Sequence, residues 1–193
     1  TGVGIWGNKG SRAMYLSLRN ELRGYLPNYT IDYYLLSSRP KVEKGKYKEF
    51  GFSGIYEARD VKETFFDYLK YLFFGWPVFD NNEYFLGVKE CDLVVDCSGI
   101  SFHDTYKSFF DCLHNNINWW LNIAIPKILN KPVIKFTQSF GPNKFFITRF
   151  LAKNALNKAT LIIPRDKKSK EVLLKLGVKK DLEVCPDIAF NLK

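Results

Sequence analysis

Short apolar runs rich in Val, Ile, Leu and Phe alternate with longer amphipathic segments along most of the 193-residue chain. The short runs end at Gly, Pro, Ser or Asp, whereas the longer segments carry apolar residues at helical spacing. Repeated strand–helix–strand order predicts right-handed crossovers and a parallel sheet. The sequence therefore predicts a single α/β domain over residues 1–193, with a Rossmann-like, doubly wound, mostly parallel sheet.

Six of the apolar runs are predicted strands. Residues 92–97 (D-L-V-V-D-C) form the clearest of them, because a continuously apolar strand requires helices on both faces of the sheet. The predicted strands are residues 2–6, 29–36, 92–97, 132–137, 161–164 and 182–185.

Five amphipathic segments are predicted helices. Ser11, Asp60 and Asp166 are predicted to cap three of them at the N-terminus, and Gly177 is predicted to close the last. Pro126 is expected to end or kink the longest helix. The predicted helices are residues 11–26, 60–74, 105–129, 144–157 and 166–176, and residues 39–54 are predicted to form a long loop or a small excursion.

The charge balance is basic, with 29 Lys and Arg against 20 Asp and Glu. This excess indicates either an anionic ligand or a lysine-rich solvated surface, because net charge alone does not locate a site. The sequence contains no RNA-binding aromatic motif and no zinc-finger spacing, so nucleic acid is not an expected partner.

The four cysteines are predicted to be buried, reduced thiols, which favours a cytoplasmic protein. None of them forms a C-x-x-C pair, so no metal site is expected. The most apolar stretch, residues 65–79, contains Asp67, Lys70 and Pro77 and is too short and too polar to span a bilayer. It either packs on the sheet as a helix or lies on a membrane surface, which leaves the inner membrane face open as a location.

Two glycine-containing segments follow predicted strands, where open α/β sheets bind their ligands. Asn8 and Gly10 lie in G-N-K-G-S, which forms either an anion site at a helix N-terminus or a plain tight turn. Ser98 and Gly99 follow residues 92–97 and permit close approach of the backbone to a ligand.

Polar side chains follow the same strands. His103 and Asp104 form either a proton-handling pair or a loop histidine beside a helix-capping aspartate. Gln138 and Ser139 offer directional hydrogen bonds after residues 132–137, before the turn at 141–142.

Arg165 follows the strand at residues 161–164 and Asp187 follows the last predicted strand. The planar guanidinium suits a carboxylate or a phosphate, although an ion pair with a nearby aspartate is the alternative interpretation. Because loops at one edge of a parallel sheet converge, we expect Asn8, Gly99, Gln138 and Arg165 to face one hollow.

The segments K-P-V-I-K-F-T-Q-S-F-G-P, L-I-I-P-R-D-K-K-S and C-P-D-I-A-F-N-L occur in this order along the chain. Together with G-N-K-G-S and D-L-V-V-D-C-S-G, they resemble the polysaccharide pyruvyl transferases. The resemblance covers most of the chain, with residues 39–84 poorly matched. Three positions depart from the family pattern: Ser11 stands where an Asp is usual, Cys97 and Ser98 replace two glycines, and Ile188 replaces a Pro.

This resemblance implies the N-terminal domain of a GT-B-type fold, with the cleft between two Rossmann-like halves. It also implies transfer of a pyruvyl group from phosphoenolpyruvate, the donor substrate, to a sugar of a cell-surface polysaccharide, with no further cofactor. Arg165 falls on the family's R-D-x-x-S motif and is the candidate for holding the donor, and His103 is a candidate acid. The implied second domain is expected beyond Lys193, and residues 1–193 are not expected to catalyse alone.

Two further hypotheses stay open. The departures in the glycine loops allow a glycosyltransferase-like half that binds a sugar nucleotide or an acceptor. The missing second domain allows a non-catalytic assembly module that forms homo-oligomers through an exposed apolar face. Under the first interpretation, the acceptor is a sugar or a lipid-linked saccharide, and peripheral membrane association is an additional expectation.

Overall fold

A computed structural model describes residues 9–37, 47–57, 60–76 and 78–191. Within these ranges the helices are α1 (Lys9–Tyr25), α2 (Val61–Phe74), α3 (Glu83–Glu90), α4 (Phe109–Ile128), α5 (Phe146–Lys158) and α6 (Lys167–Leu176). The strands are β1 (Tyr34–Ser37), β2 (Gly54–Glu57), β3 (Val94–Asp96), β4 (Ile100–Ser101), β5 (Val133–Phe140) and β6 (Leu161–Pro164). Short 3-10 helices cover Tyr47–Phe50, Phe79–Asn81 and Ile188–Asn191.

All strand pairs in the described ranges are parallel, which confirms the predicted α/β class. β5 is the central strand of the larger sheet, with β6 on one side. β3 and β4 pair with β5 in one common register, because Val94 lies opposite Val133 and Ile100 lies opposite Ser139. They are therefore two parts of one strand that is interrupted at residues 97–99. β1 and β2 form a separate two-stranded parallel sheet.

Helices cover both faces of the larger sheet, as the doubly wound interpretation requires. Val94 and Val133 belong to the large apolar cluster that α2 to α6 bury. Val95, the residue after Val94, and Phe136, three residues after Val133, pack in a smaller cluster with Met14 of α1. Successive residues of a strand point to opposite faces, so the two clusters lie on opposite sides of the sheet.

The helix caps were largely predictable. Asp60 accepts a hydrogen bond from the Lys62 N–H at 2.8 Å, and Asp166 accepts one from the Ser169 N–H at 2.7 Å. Gly177 closes α6 with a φ of 80°, a conformation that costs glycine little. Pro126 lies in the last turn of α4, which ends two residues later.

Three boundary predictions are wrong. α1 begins at Lys9, so Ser11 lies inside the first turn instead of capping it. Of residues 29–36, only those from Tyr34 onward form a strand. β2 begins at Gly54, the last residue of the predicted loop 39–54. Residues 182–185 form no strand: the Cys185 N–H donates to the Pro164 carbonyl at 3.1 Å, but Pro186 follows and has no N–H to continue a ladder.

The predicted strand over residues 2–6 lies outside the described residues, as does most of the predicted loop, residues 38–46. No helix in the described ranges combines the length and hydropathy needed to cross a bilayer.

Candidate functional site

The carboxyl edge of the larger sheet brings three predicted segments together. The Ser139 N–H donates to the Gly99 carbonyl at 3.1 Å, and the Arg165 N–H donates to the Gln138 carbonyl at 2.9 Å. Gly99, Ser139, Gln138 and Arg165 are therefore neighbours at this edge, and the expectation that the predicted residues face one hollow stays a prediction. β5 runs to Phe140, so Gln138 and Ser139 lie within the strand and not in the loop after it.

Arg165 is held in place by two neighbours. Its Nε and Nη2 donate to the Ser139 hydroxyl at 3.0 and 2.6 Å, and its Nη1 contacts Asp187 Oδ2 at 3.3 Å. The Arg165 side chain is nevertheless 36% exposed, compared with 18% for Asp187. A guanidinium has five N–H donors, so this anchored group keeps hydrogen-bonding capacity that faces solvent.

Ser139 links this arginine to the start of α6. Its hydroxyl donates to Asp166 Oδ2 at 3.2 Å while it accepts from Arg165. Burial opposes ionisation of Asp166, but hydrogen bonds from Ser169 and Ser139 and the charge of Arg165 outweigh it and lower the pKa of Asp166. Hydrogen bonds therefore link Asp187, Arg165, Ser139 and Asp166 in this order along the edge, with the positive guanidinium between two carboxylates.

Gly99 has open space beside it among the described residues. A methyl group added here would meet no atom of residues 9–37, 47–57, 60–76 or 78–191 within 4 Å. Gly99 is half-buried, whereas the preceding Ser98 is buried. The interruption between β3 and β4 thus leaves room beside β5, whose Ser139 holds Arg165, and a ligand can approach the backbone there.

Gln138 lies behind the edge. Its side chain is fully buried, its Nε2 donates to the Asp96 carbonyl at 2.6 Å, and its Oε1 accepts from the Ser101 hydroxyl at 2.8 Å. The amide therefore bridges β5 to both parts of the interrupted strand. This position makes Gln138 a support for the edge in the described structure, and its predicted contact with substrate stays a prediction.

A buried ion pair lies beneath Ser98. Lys135 Nζ bonds Asp96 Oδ2, and both side chains are fully buried. The other oxygen of Asp96 accepts from the Ser98 N–H at 2.9 Å and from the Ser98 hydroxyl. Burial alone would raise the pKa of Asp96, but Lys135 and the Ser98 hydrogen bonds lower it to about 2. This ion pair was not predicted from the sequence. The lysine within V-I-K-F and the aspartate within V-V-D-C, each a charge in an apolar strand, are the features that indicate it.

Asp104 binds the start of α5, whereas the helix that follows it in sequence, α4, is capped by Ser108. Its Oδ2 accepts from the Lys144 and Phe145 N–H groups at 2.6 and 3.1 Å and from the Thr148 hydroxyl at 2.6 Å. These donors belong to the start of α5, some forty residues further along the chain. Asn116 Nδ2 donates to the other oxygen at 3.0 Å. The carboxylate therefore fixes α5 and does not orient the imidazole of His103.

His103 is buried against aromatic rings. Its ring stacks on Tyr106 at 5.2 Å between centroids and lies 4.8 Å from the Trp119 ring. Its Nδ1 lies 2.7 Å from the Thr105 hydroxyl. Burial lowers the pKa of His103, and the nearby Asp104 only partly opposes this. The imidazole is thus uncharged near neutral pH, and its catalytic role stays a prediction. Gly141 packs so closely on it that an added Cβ would lie 2.2 Å from the His103 Cβ.

The first glycine segment is only partly described. Gly10 is exposed in the first turn of α1, and α1 packs on the 3-10 helix Ile188–Asn191 that follows Asp187. Asn8 lies outside the described residues. The anion site predicted for this segment stays a prediction.

The cysteines are free thiols. Cys97 and Cys112 are buried, Cys91 is half-buried and Cys185 is exposed, so the predicted burial holds for only part of the set. Burial raises the pKa of Cys97 to about 12. In the ranges that the structure describes, no group of three or more His, Cys, Asp and Glu side chains could hold a metal ion.

The parallel sheet, with helices on both faces and an anchored, solvent-accessible arginine at its carboxyl edge, defines a Rossmann-like α/β protein. Comparison with protein-family models identifies the family: the polysaccharide pyruvyl transferase model matches residues 8–193, and the chain belongs to this family. Comparisons with curated proteins and with solved structures gave no match. Family membership confirms the resemblance found in the sequence and indicates a polysaccharide-related acceptor.

Proposed function

We propose that this chain binds phosphoenolpyruvate at the carboxyl edge of its larger sheet and supports transfer of the pyruvyl group to a sugar of a cell-surface polysaccharide. Arg165 holds an anionic group of the donor, and the space beside Gly99 receives the rest of the ligand. The protein works on the cytoplasmic side of the membrane.

The arrangement of Arg165 carries this proposal. The guanidinium is oriented by Ser139 and Asp187 yet 36% exposed. An arginine that is already positioned loses little side-chain freedom when it binds an anion, which favours affinity. Planar, two-pronged donor geometry matches the carboxylate and phosphate groups of phosphoenolpyruvate.

The proposed reaction makes a cyclic ketal. Two hydroxyl oxygens of the sugar form bonds to C2 of the donor, the bond from C2 to the phosphate oxygen breaks, and the methylene carbon takes up one proton. The second hydroxyl proton leaves with the phosphate. Donors that bind the departing phosphate lower the barrier to this step, and we assign this role to Arg165.

The proton donor to the methylene carbon is not assigned. His103 is uncharged near neutral pH because burial lowers its pKa, and a neutral imidazole is a weaker proton donor than an imidazolium. Binding is therefore the first property to measure, and turnover comes after it.

Equilibrium titration of the 193-residue chain with phosphoenolpyruvate tests the proposal. We expect saturable binding that is lost in Arg165→Ala and partly kept in Arg165→Lys. Arg23→Ala is the matched control, because Arg23 is exposed in the last turn of α1. Binding that is equal in Arg165→Ala and Arg23→Ala would reject the assigned role of Arg165.

Sugar nucleotides provide the second arm of this experiment. A ligand that binds the folded chain raises its unfolding temperature. Stabilisation by a sugar nucleotide, without stabilisation by phosphoenolpyruvate, would replace the pyruvyl transfer proposal with the glycosyltransferase-like alternative.

A further inference from the structure

We propose that the adjoining N-termini of α4 and α5 form a docking surface for an anionic phospholipid membrane. The aromatic–basic surface comprises Phe110, Phe146, Ile147 and Phe150 with the basic residues Lys144, Arg149 and Lys153. This inference uses only the exposure and charge of these side chains, so it does not depend on the identity of the donor substrate.

Large apolar side chains are unusually exposed on this surface. Phe110 and Phe146 are each 77% exposed, Phe150 is 60% exposed and Ile147 is 48% exposed. Phe146 and Phe150 are four residues apart on one helix, and residues at this spacing share a face. Contiguous exposed apolar groups on a soluble domain mark an interaction site.

The two helix starts are held together beneath the exposed rings. The Phe109 and Phe145 rings meet edge to face, with their centroids 4.9 Å apart. The two most exposed rings of the surface, Phe110 and Phe146, directly follow Phe109 and Phe145 in the sequence. The surface is therefore a fixed feature of the fold and not the product of one mobile side chain.

Charge selects the partner. The sequence has no Asp or Glu between Asp111 and Asp166, whereas eight Lys and Arg residues fall in this interval. Lys144, Arg149 and Lys153 are exposed on or beside the apolar face of α5. The nearest acid in sequence, Asp111, has its Oδ2 hydrogen-bonded to the Ser108 hydroxyl at 2.7 Å.

A membrane interface fits this combination better than a second copy of the chain does. Aromatic rings insert at the boundary between headgroups and acyl chains, while Lys and Arg side chains extend to lipid phosphates. A symmetric dimer through the same surface would bring the basic residues of one copy against the basic residues of the other, and α5 carries no acidic residue to pair with them. An anionic lipid surface removes this repulsion.

A second exposed aromatic face provides a contrast. α2 exposes Phe66, Phe73 and Phe74, but its two basic residues, Lys62 and Lys70, are balanced by Glu63 and Asp67. Lys70 also forms an ion pair with Asp67 at 3.3 Å. α2 is thus apolar without a net positive charge, which makes it the matched control for the aromatic–basic surface.

The surface lies beside the candidate site. Asp104, in the loop that follows β4, accepts hydrogen bonds from the Lys144 and Phe145 N–H groups. The same loop leaves the carboxyl edge of the sheet, where Arg165 lies. A chain that docks through α4 and α5 would therefore hold this edge near the headgroups, within reach of a lipid-linked saccharide.

Vesicle sedimentation tests the inference. We expect the chain to sediment with vesicles that contain phosphatidylglycerol and to stay in the supernatant with vesicles of phosphatidylcholine alone. Binding should weaken as the salt concentration rises. Each basic side chain removed, as in Arg149→Gln or Lys144→Gln, should weaken binding about fivefold. Phe146→Ser with Phe150→Ser should weaken it further, whereas Phe73→Ser with Phe74→Ser on α2 should leave it unchanged.

Several outcomes would overturn the inference. Equal binding to both kinds of vesicle would show that charge does not select the membrane. An equal loss of binding in the α2 control would show that the aromatic rings of α5 are not the docking site. A dimer in light scattering that dissociates in the Phe146→Ser, Phe150→Ser variant would assign the surface to self-association. All substitutions lie at exposed positions, and circular dichroism verifies folding. Titration with phosphoenolpyruvate remains a separate measurement, so each proposal can fail alone.

Discussion

Lys135 and Asp96 form a fully buried ion pair between adjacent parallel strands, at positions directly opposite each other in the register. Moving two charges out of water carries a large desolvation penalty, which their mutual attraction and further hydrogen bonds must offset. Here the second oxygen of Asp96 is bonded to Ser98, so the carboxylate is satisfied on both sides. The pair fixes the loop that leads to the open space beside Gly99.

Removing the ammonium should therefore be costly. Lys135→Met leaves the Asp96 carboxylate buried without a counter-charge, and we expect the free energy of unfolding to fall by about 3–5 kcal/mol. Urea denaturation measures this change. Lys158→Met, at an exposed position on α5, is the control and should change stability by less than about 0.5 kcal/mol. Equal stability of the two variants would mean that the pair does not form in solution.

The same carboxylate predicts an acid-dependent loss of stability. The pKa of Asp96 is about 2 in the folded chain, against an ordinary value of 3.8. A pKa lowered by folding contributes stability that is complete above the ordinary value and is lost as the pH falls toward the folded value. We expect a contribution of about 2 kcal/mol to disappear between these two pH values.

Comparing the wild-type chain with Asp96→Asn isolates this contribution. The difference in their free energies of unfolding should be constant near neutral pH and should shrink as the pH falls below 4. A difference that is independent of pH across this range would show that folding does not lower the pKa of Asp96.

Ser139 should control the affinity of the arginine for an anion. Its hydroxyl accepts both Nε–H and Nη2–H of Arg165, so Ser139→Ala releases the guanidinium from its position. We expect binding of phosphoenolpyruvate to weaken about tenfold, the scale of one hydrogen bond to a charged group. Ser139→Thr keeps a hydroxyl and should retain most of the affinity. Titration calorimetry distinguishes the two variants, and a loss of equal size in both would point to packing instead of the hydroxyl.

Local rules predicted the parts of the fold that local chemistry determines. Asp60 and Asp166 cap α2 and α6 because their carboxylates reach N–H groups two or three residues away. Strands β3, β5 and β6 were found from their apolar centres, although β5 continues three residues beyond the predicted end at Thr137. The meeting of Gly99 and Arg165 at one edge followed from the parallel order alone.

Long-range contacts account for what the sequence did not predict. Asp104 caps a helix that begins some forty residues later, and no spacing rule connects it to Thr148. Lys135 lies in an apolar strand where a charge argues against burial, and only the partner strand supplies Asp96. β2 (G-I-Y-E) is half-buried throughout and lacks the continuous apolar centre by which the equally short β6 was found.

The cap provided by Asp104 has a mechanical consequence. One carboxylate joins the segment after β4 to Lys144, Phe145 and Thr148 at the start of α5 through three hydrogen bonds, and its other oxygen accepts from Asn116 of α4. Any displacement of that segment must therefore either break these hydrogen bonds or move the start of α5 and the first half of α4 with it.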